Sequence, residues 1–359
     1  MASSLNNPAW LEWMTTLMAG VSHEGVSQAG VSQEGVSRHT YAATLPPDRF
    51  YCLLDELPLH LIPQRVLKSA QPHEEWDQAL YLNPDLILCA DGQLPDELAS
   101  RQELLSGFAL QGTIAWVRNP ATGSLLPFWL GPQLEGALQG LSPDAPVPSS
   151  VPDNARSRLA AANILIPDDG TGQRACQREK ASAVFREKGY APLGDLIHPF
   201  HLAALRRYYR YLIRTGAIRL GDGQSPRRYV AYNEPVARFF HQDIAATLSA
   251  VAGEALKPSY VYMASYLSGA ELKKHTDREQ CEFSVTLCLD FSPEPILETP
   301  WPIQLDTPAG TATVFQALGD GLAYRGTRLP HYRSPLAEGQ TSTSIFFHYV
   351  GIDFAGSLD

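Results

Sequence analysis

Between residues 283 and 291 apolar and polar side chains alternate without a break: Phe283, Val285, Leu287, Leu289 and Phe291 form one set, Ser284, Thr286, Cys288 and Asp290 the other. Successive side chains of an extended backbone point to opposite faces, so this spacing predicts a strand with one face committed to a core. Such a strand needs neighbours for its backbone groups and a layer over its apolar face. Residues 259–267, rich in β-formers and carrying Tyr260, Tyr262, Ala264 and Tyr266 on one face, predict a second strand just upstream. In a chain of 359 residues that is 44% hydrophobic and 18% charged, these strands belong to a sizeable globular core.

The segment joining the two strands is KKHTDREQCEF, residues 273–283. In extended backbone residues i and i+2 project to the same side, so the His275 imidazole and the Asp277 carboxylate can converge on one ion. That is the spacing of two arms of a 2-His-1-carboxylate facial triad, which leaves three adjacent coordination positions open on a non-haem iron. A second copy of the spelling, His241-Gln242-Asp243, falls in a helical pattern over roughly residues 234–252. On a helix i and i+2 point well apart, and this copy reads as surface or packing. A third ligand must come from a later strand folded back beside the first. His331 sits at a strand mouth, after the Gly319-Asp320-Gly321 turn, a short strand at 322–325 and Gly326. His348 lies inside the apolar run SIFFHYV, where a packed or surface histidine is the simpler reading, and His331 is preferred.

Taken together, Tyr266-x-x-Gly269-x-x-Leu272-x-x-His275-x-Asp277, the strand after it, Gly319-Asp320, Tyr324, His331 and Gly339 resemble the iron(II)- and 2-oxoglutarate-dependent oxygenases, nearest the prolyl-4-hydroxylase-like branch, over roughly residues 185–350. The resemblance implies an α+β fold: a C-terminal double-stranded β-helix (jelly-roll) oxygenase core with the helices near 200–252 packed outside, preceded by a smaller mixed α/β N-terminal region. It implies Fe(II), 2-oxoglutarate and O2 as cofactors, with His275, Asp277 and His331 as metal ligands and catalytic centre. The implied reaction couples decarboxylation of 2-oxoglutarate to succinate and CO2 with hydroxylation of an unactivated C–H bond, in a small metabolite or a peptide residue. Related halogenating enzymes have Gly or Ala where this chain has Asp277, so the carboxylate points to oxygenation. The chain departs from the family where an Arg or Lys often follows the glycine after the distal histidine; here Gln340 stands there, followed by Thr341 and Ser342. A neutral amide holds a carboxylate less strongly than a charged group does. Arg333, two residues after His331 and on the same side of a strand, is the leading replacement, with Arg325 the alternative. Gln340 and Ser342 are positioned to add neutral hydrogen bonds. Tyr266 matches a family tyrosine that reaches the cosubstrate, packing being an equal use for it. Two other classes fit the same residues: a cupin-type dioxygenase that does not use 2-oxoglutarate, and a non-catalytic binding protein with a vestigial metal site.

Outside this core the chain is less informative. Residues 1–40 read as a flexible low-complexity extension containing four GVSxx units, and 41–141 as a mixed α/β region of unknown role with a hairpin around Asn119-Pro120 and Gly123. The proline-rich stretch 142–157 reads as a linker and 158–359 as the oxygenase domain. A helix beginning near Pro199 carries Arg206, Arg207, Arg210 and Arg214, read as a solvated face. Arg278, Glu279 and Glu282, close to the candidate site, suit a polar substrate and simple solvation equally. A net charge of −10 argues against a nucleic-acid partner, and no apolar run reaches the length of a membrane span. Five scattered cysteines without a CxxC pair suit a reducing compartment, with the cytoplasm as the expectation; oligomeric state is left open.

Overall fold

A computed structural model describes residues 45–69, 79–120, 122–167 and 174–358, so the GVSxx extension lies outside the described residues. The fold is mixed α/β with almost entirely antiparallel sheets. In the first half, β1 (Leu80–Leu82) is followed by β2 (Ile87–Cys89), β3 (Thr113–Arg118), β4 (Leu125–Leu130) and β5 (Leu165–Pro167). β3 and β4 form a hairpin closed at Asn119 and Gly123, as the turn residues predict. In the second half come β6 (Tyr190–Leu193), β7 (Arg219–Leu220), β8 (Arg228–Tyr232), β9 (Leu256–Tyr266), β10 (Leu272–His275), β11 (Phe283–Ser292), β12 (Ile303–Thr307), β13 (Gly310–Val314), β14 (Gly321–Tyr324), β15 (His331–Arg333) and β16 (Thr341–Gly351). Seven of them make one sheet in the order β6-β14-β11-β16-β9-β8-β7, and four make a second in the order β10-β15-β12-β13.

The strand of strict alternation, β11, occupies the middle of the large sheet between β14 and β16. Its apolar face joins the main core under the helices Pro199–Arg214 and Pro235–Ala252, with Phe185 stacked on Phe283. The other face is buried as well: Ser284 and Thr286 are 0% exposed and Cys288 is 4% exposed. It meets the small sheet across a second, smaller core of Ile303, Leu305, Leu322, Tyr324 and Leu329. Alternation in the sequence therefore marks two buried environments, one apolar and one carrying hydrogen-bonding groups.

The arginine-bearing helix Pro199–Arg214 is capped by His198 and starts on Pro199. Its reading as a solvated face is corrected for Arg206 and Arg207 and holds for Arg210 and Arg214, which are exposed. Arg206 is fully buried and donates to Asp290 at 3.0 Å, to Glu294 at 2.7 Å and to the Leu61 carbonyl. Arg207 donates to the Tyr51 carbonyl and lies over the Tyr51 ring, and Arg210 pairs with Asp290 at 2.6 Å. Buried guanidinium groups are tolerated because carboxylates and carbonyls take up their hydrogen bonds.

The first half is joined to the second by similar links. Arg65 pairs with Asp320 at 3.0 Å and Asp195 at 2.7 Å, while Asn119, Thr122 and Ser124 of the hairpin all donate to Asp243 on the helix Pro235–Ala252. One apolar core runs through both halves, and the helix Asp153–Ala161 begins inside the segment read as a linker. Among the described residues no helix is long and apolar enough to cross a membrane, and Cys52, Cys89, Cys281 and Cys288 are free.

Two buried histidines make the fold acid-sensitive. His201 donates from Nε2 to the Pro127 carbonyl at 2.8 Å, and burial lowers its pKa to about 4; His241 donates to the His348 carbonyl, and burial lowers its pKa to about 3. An unfolded histidine titrates near 6.5. Below that value the unfolded chain takes up protons that the native state refuses, so the contribution is intact above pH 6.5 and is lost as pH falls towards the folded values. Melting temperature is expected to fall from pH 7 to pH 4.5. His241→Gln, whose amide N–H replaces the Nε2 donor without titrating, is expected to fall less steeply; equal slopes in calorimetric scans would contradict this account.

Candidate metal centre

β10 and β15 are antiparallel neighbours with His275 directly opposite His331. Each imidazole is oriented by its own strand: His275 Nδ1 lies 2.7 Å from the Lys273 carbonyl and His331 Nδ1 lies 3.0 Å from the Leu329 carbonyl. A carbonyl only accepts, so both Nδ1 atoms carry a proton, and in the neutral imidazoles both Nε2 atoms keep a lone pair. Those lone pairs face Asp277, whose Oδ1 is 3.6 Å from His275 Nε2 and 3.5 Å from His331 Nε2. Burial pushes the His331 pKa down, which favours the neutral, ligating form. Donors bound about 2.0–2.1 Å from a divalent metal lie roughly 3 to 3.5 Å from one another; the two separations to Asp277 are close to that, and the three donor atoms all lie within 4.8 Å of one another, a cluster that could hold one ion. Two imidazoles and one carboxylate on one side are the donor set of non-haem iron(II) sites.

Asp277 follows the end of β10 and is held from two directions. Its amide donates to the Gly326 carbonyl at 2.9 Å, and its Oδ2 accepts from Ser284 Oγ at 2.9 Å. Gly326 is required by this closeness: a Cβ there would lie 2.3 Å from Asp277 Oδ2 and 2.4 Å from the Cys281 carbonyl. In the sequence Gly326 reads only as a strand terminator, because its neighbours across the fold are not adjacent in the chain.

The other predicted residues separate into two places. Arg333 is 5% exposed, donates to the Trp301 carbonyl and, at 3.1 Å, to Gln316 Oε1, and packs over the Trp301 ring. No carboxylate among the described residues lies within ion-pair distance of it. Tyr266 shares the Trp301 ring from another side, with centroids 5.1 Å apart, and its hydroxyl accepts from Arg228. Arg228 is already paired with Asp222. Burial would raise the Asp222 pKa, but hydrogen bonds from Arg228, Tyr262 and the backbone amides of Ser225 and Gln224 hold it at about 2. Ser342 is buried opposite Tyr266, and the Gln340 carbonyl accepts from Ser268 Oγ in the turn before β16. Arg325 is elsewhere: it sits 3.7 Å from Glu254 and over the rings of Phe185 and Phe283, on the helix side of the large sheet. Trp301 and Gln316, which frame Arg333, carry no periodic or motif signal in the sequence.

No protein-family model matches the chain, and no curated protein matches it. Among solved structures it is similar to the non-heme alpha ketoglutarate dependent epimerase SnoN from nogalamycin biosynthesis, at 14% identity over 49% of this chain and 83% of that one, with a TM-score of 0.42. A prolyl-4-hydroxylase from Pseudomonas putida gives 14% identity over 48% and 100%, TM-score 0.40. HygX from Streptomyces hygroscopicus, solved with nickel and 2-oxoglutarate bound, gives 13% over 51% and 89%, TM-score 0.39.

Alanine at His275, Asp277 or His331 is expected to weaken iron(II) binding, titrated anaerobically, by more than the roughly tenfold to hundredfold typical of a lost outer-shell partner. Gly326→Ala, by displacing Asp277, should do the same. Wild-type affinity in His331→Ala would remove it from the donor set.

Proposed function

We propose that the chain is an iron(II)- and 2-oxoglutarate-dependent oxygenase that hydroxylates an unactivated C–H bond of a small metabolite or a peptide residue, on a double-stranded β-helix made by the two facing sheets. The observation that carries this reading is the pair of oriented imidazoles converging with Asp277, one of them, His331, on the same strand as a buried arginine that has no acidic partner among the described residues. Iron with 2-oxoglutarate, when bound, supplies the oxidising chemistry by coupling decarboxylation to C–H oxidation.

The chain's own groups prepare that chemistry. His275 and His331 offer lone pairs, and Asp277 offers one negative oxygen from the same side, leaving the opposite side open to small ligands. His331 and Arg333 are two residues apart on β15, and both are buried. A guanidinium fork can engage both oxygens of a carboxylate, and it does so more strongly in a site shielded from water. Arg333 is thus suited to the far carboxylate of 2-oxoglutarate, the role that Gln340 is too weak to fill. Trp301 and Tyr266 wall that position, and Tyr324, edge-on to His331 at 4.8 Å, closes the interior on the other side. A cupin-type oxygenase without 2-oxoglutarate gives the buried Arg333 no anion to meet, and this favours the 2-oxoglutarate reading.

Arg333→Met is expected to raise the 2-oxoglutarate concentration needed for half-maximal succinate formation about tenfold to a hundredfold or more, since a buried charge that loses its partner costs on the order of 2 to 5 kcal/mol. Iron binding should be retained, and Arg325→Met should have a smaller effect. An unchanged 2-oxoglutarate requirement in Arg333→Met would exclude this role and point to a different cosubstrate.

A further inference from the structure

We propose that Ser284 and His348 are positioning residues that tie up one oxygen of Asp277, so that the aspartate meets the metal through Oδ1 alone. The inference rests on the reading of His275, Asp277 and His331 as a metal site. A carboxylate that binds through both oxygens occupies two coordination positions, and one that binds through a single oxygen leaves three open beside two imidazoles. The group facing the second oxygen therefore decides how many small ligands the site can accept.

Asp277 Oδ1 faces the two Nε2 atoms, while Oδ2 points away from them to Ser284 Oγ at 2.9 Å. Ser284 Oγ also lies 2.9 Å from His348 Nδ1. A hydroxyl has one proton to give, and an ionised carboxylate can only accept. The two acceptor-only neighbours of Ser284 Oγ are Asp277 Oδ2 at 2.9 Å and the Cys281 carbonyl at 3.4 Å, so the Ser284 proton goes to the nearer Asp277, and Ser284 accepts in turn from His348 Nδ1–H. This defines a directed chain, His348 to Ser284 to Asp277, whose first two members are buried. Successive hydrogen bonds of this kind polarise one another, which strengthens the last of them.

His348 is itself fixed. Its carbonyl accepts from His241 Nε2 at 2.8 Å, and its ring packs against Tyr260 at 4.7 Å. The β9 strand bulges opposite it, the pairing passing from Phe347 with Val261 to Tyr349 with Pro258. Tyr349 donates back to the His241 carbonyl at 2.8 Å, so β16 is fastened to the helix at His348 and at Tyr349. The absent side chain at Gly326 gives Asp277 and Ser284 the room to meet.

The test uses the full chain with cobalt(II) as the probe, reading affinity by calorimetric titration, coordination by visible ligand-field absorption, and folding by thermal melting. Ser284→Ala and His348→Leu are expected to weaken cobalt(II) binding about tenfold to a hundredfold and to change the absorption spectrum as the carboxylate swings towards two-oxygen binding. His348→Asn, whose amide N–H can stand where Nδ1–H stood, is expected to restore most of the affinity and the wild-type spectrum. A general packing role would lower melting temperature without changing the spectrum. If His348→Leu does not fold, Ser284→Ala decides alone: a folded Ser284→Ala with wild-type affinity and spectrum overturns the proposal. His275→Ala separates the two levels. If wild type binds cobalt(II) and His275→Ala does not, an unaltered Ser284→Ala defeats only the positioning role; if His275→Ala binds as wild type does, the metal reading fails and takes this inference with it.

Discussion

Strand β11 has no solvent side, and the polar residues along its inner face must find partners inside the protein. Where they find them defines the centre of the molecule. Ser284 meets Asp277, the Thr286 hydroxyl meets Tyr324 beside His331, and the Thr286 carbonyl accepts from Gln316, whose own oxygen holds Arg333. Past the register shift between Cys288 and Asp290 the strand changes face, and Asp290 accepts from Arg206 and Arg210 of the covering helix. The same strand thus contributes its apolar face to the main core and its polar face to the donor set, so the stability of the sheet and the geometry of the site are not separable quantities. A half-satisfied network of this kind would be worse than an apolar core, which explains why its links are nearly all occupied.

Support for the site extends outward through the helix Pro235–Ala252. The second His-x-Asp copy, excluded as a metal site because a helix splays i and i+2, is used twice as a fastener: His241 fixes β16 at His348, and Asp243 gathers the three hydroxyl and amide donors of the β3–β4 hairpin. Burial raises the Asp243 pKa, with the bonds from Ser124, Thr122 and Asn119 opposing it. The first half of the chain therefore meets the helix that buttresses the strand behind Asp277. This is a structural continuity through contacts; no equilibrium between two states is implied by it.

The arginines show how differently one residue type can be used within a single fold. Arg206 has two acids and a carbonyl, Arg228 has Asp222, Arg325 has Glu254 and two aromatic faces, and Arg333 has only neutral partners among the described residues. Burying a guanidinium costs several kcal/mol unless something negative repays it. The first three are repaid within the chain. Arg333 is the one of these four without an acidic partner among the described residues, and that asymmetry is what singles it out.

Local periodicity was enough to find the strands, to separate the extended His275-Asp277 pair from the helical His241-Asp243 pair, and to place Arg333 on the same side as His331, because each of these is a relation between residues close in the chain. The sequence by itself determined which side chains can face one another along an element. It did not determine that the polar face of β11 is interior, that Arg206 and Arg207 are anchors, or that Ser284, Trp301, Gln316 and Gly326 frame the site. Those depend on a second sheet and a covering helix arriving from elsewhere in the chain, and only the tertiary structure decides what a buried donor, an uncompensated charge or a missing Cβ is set against.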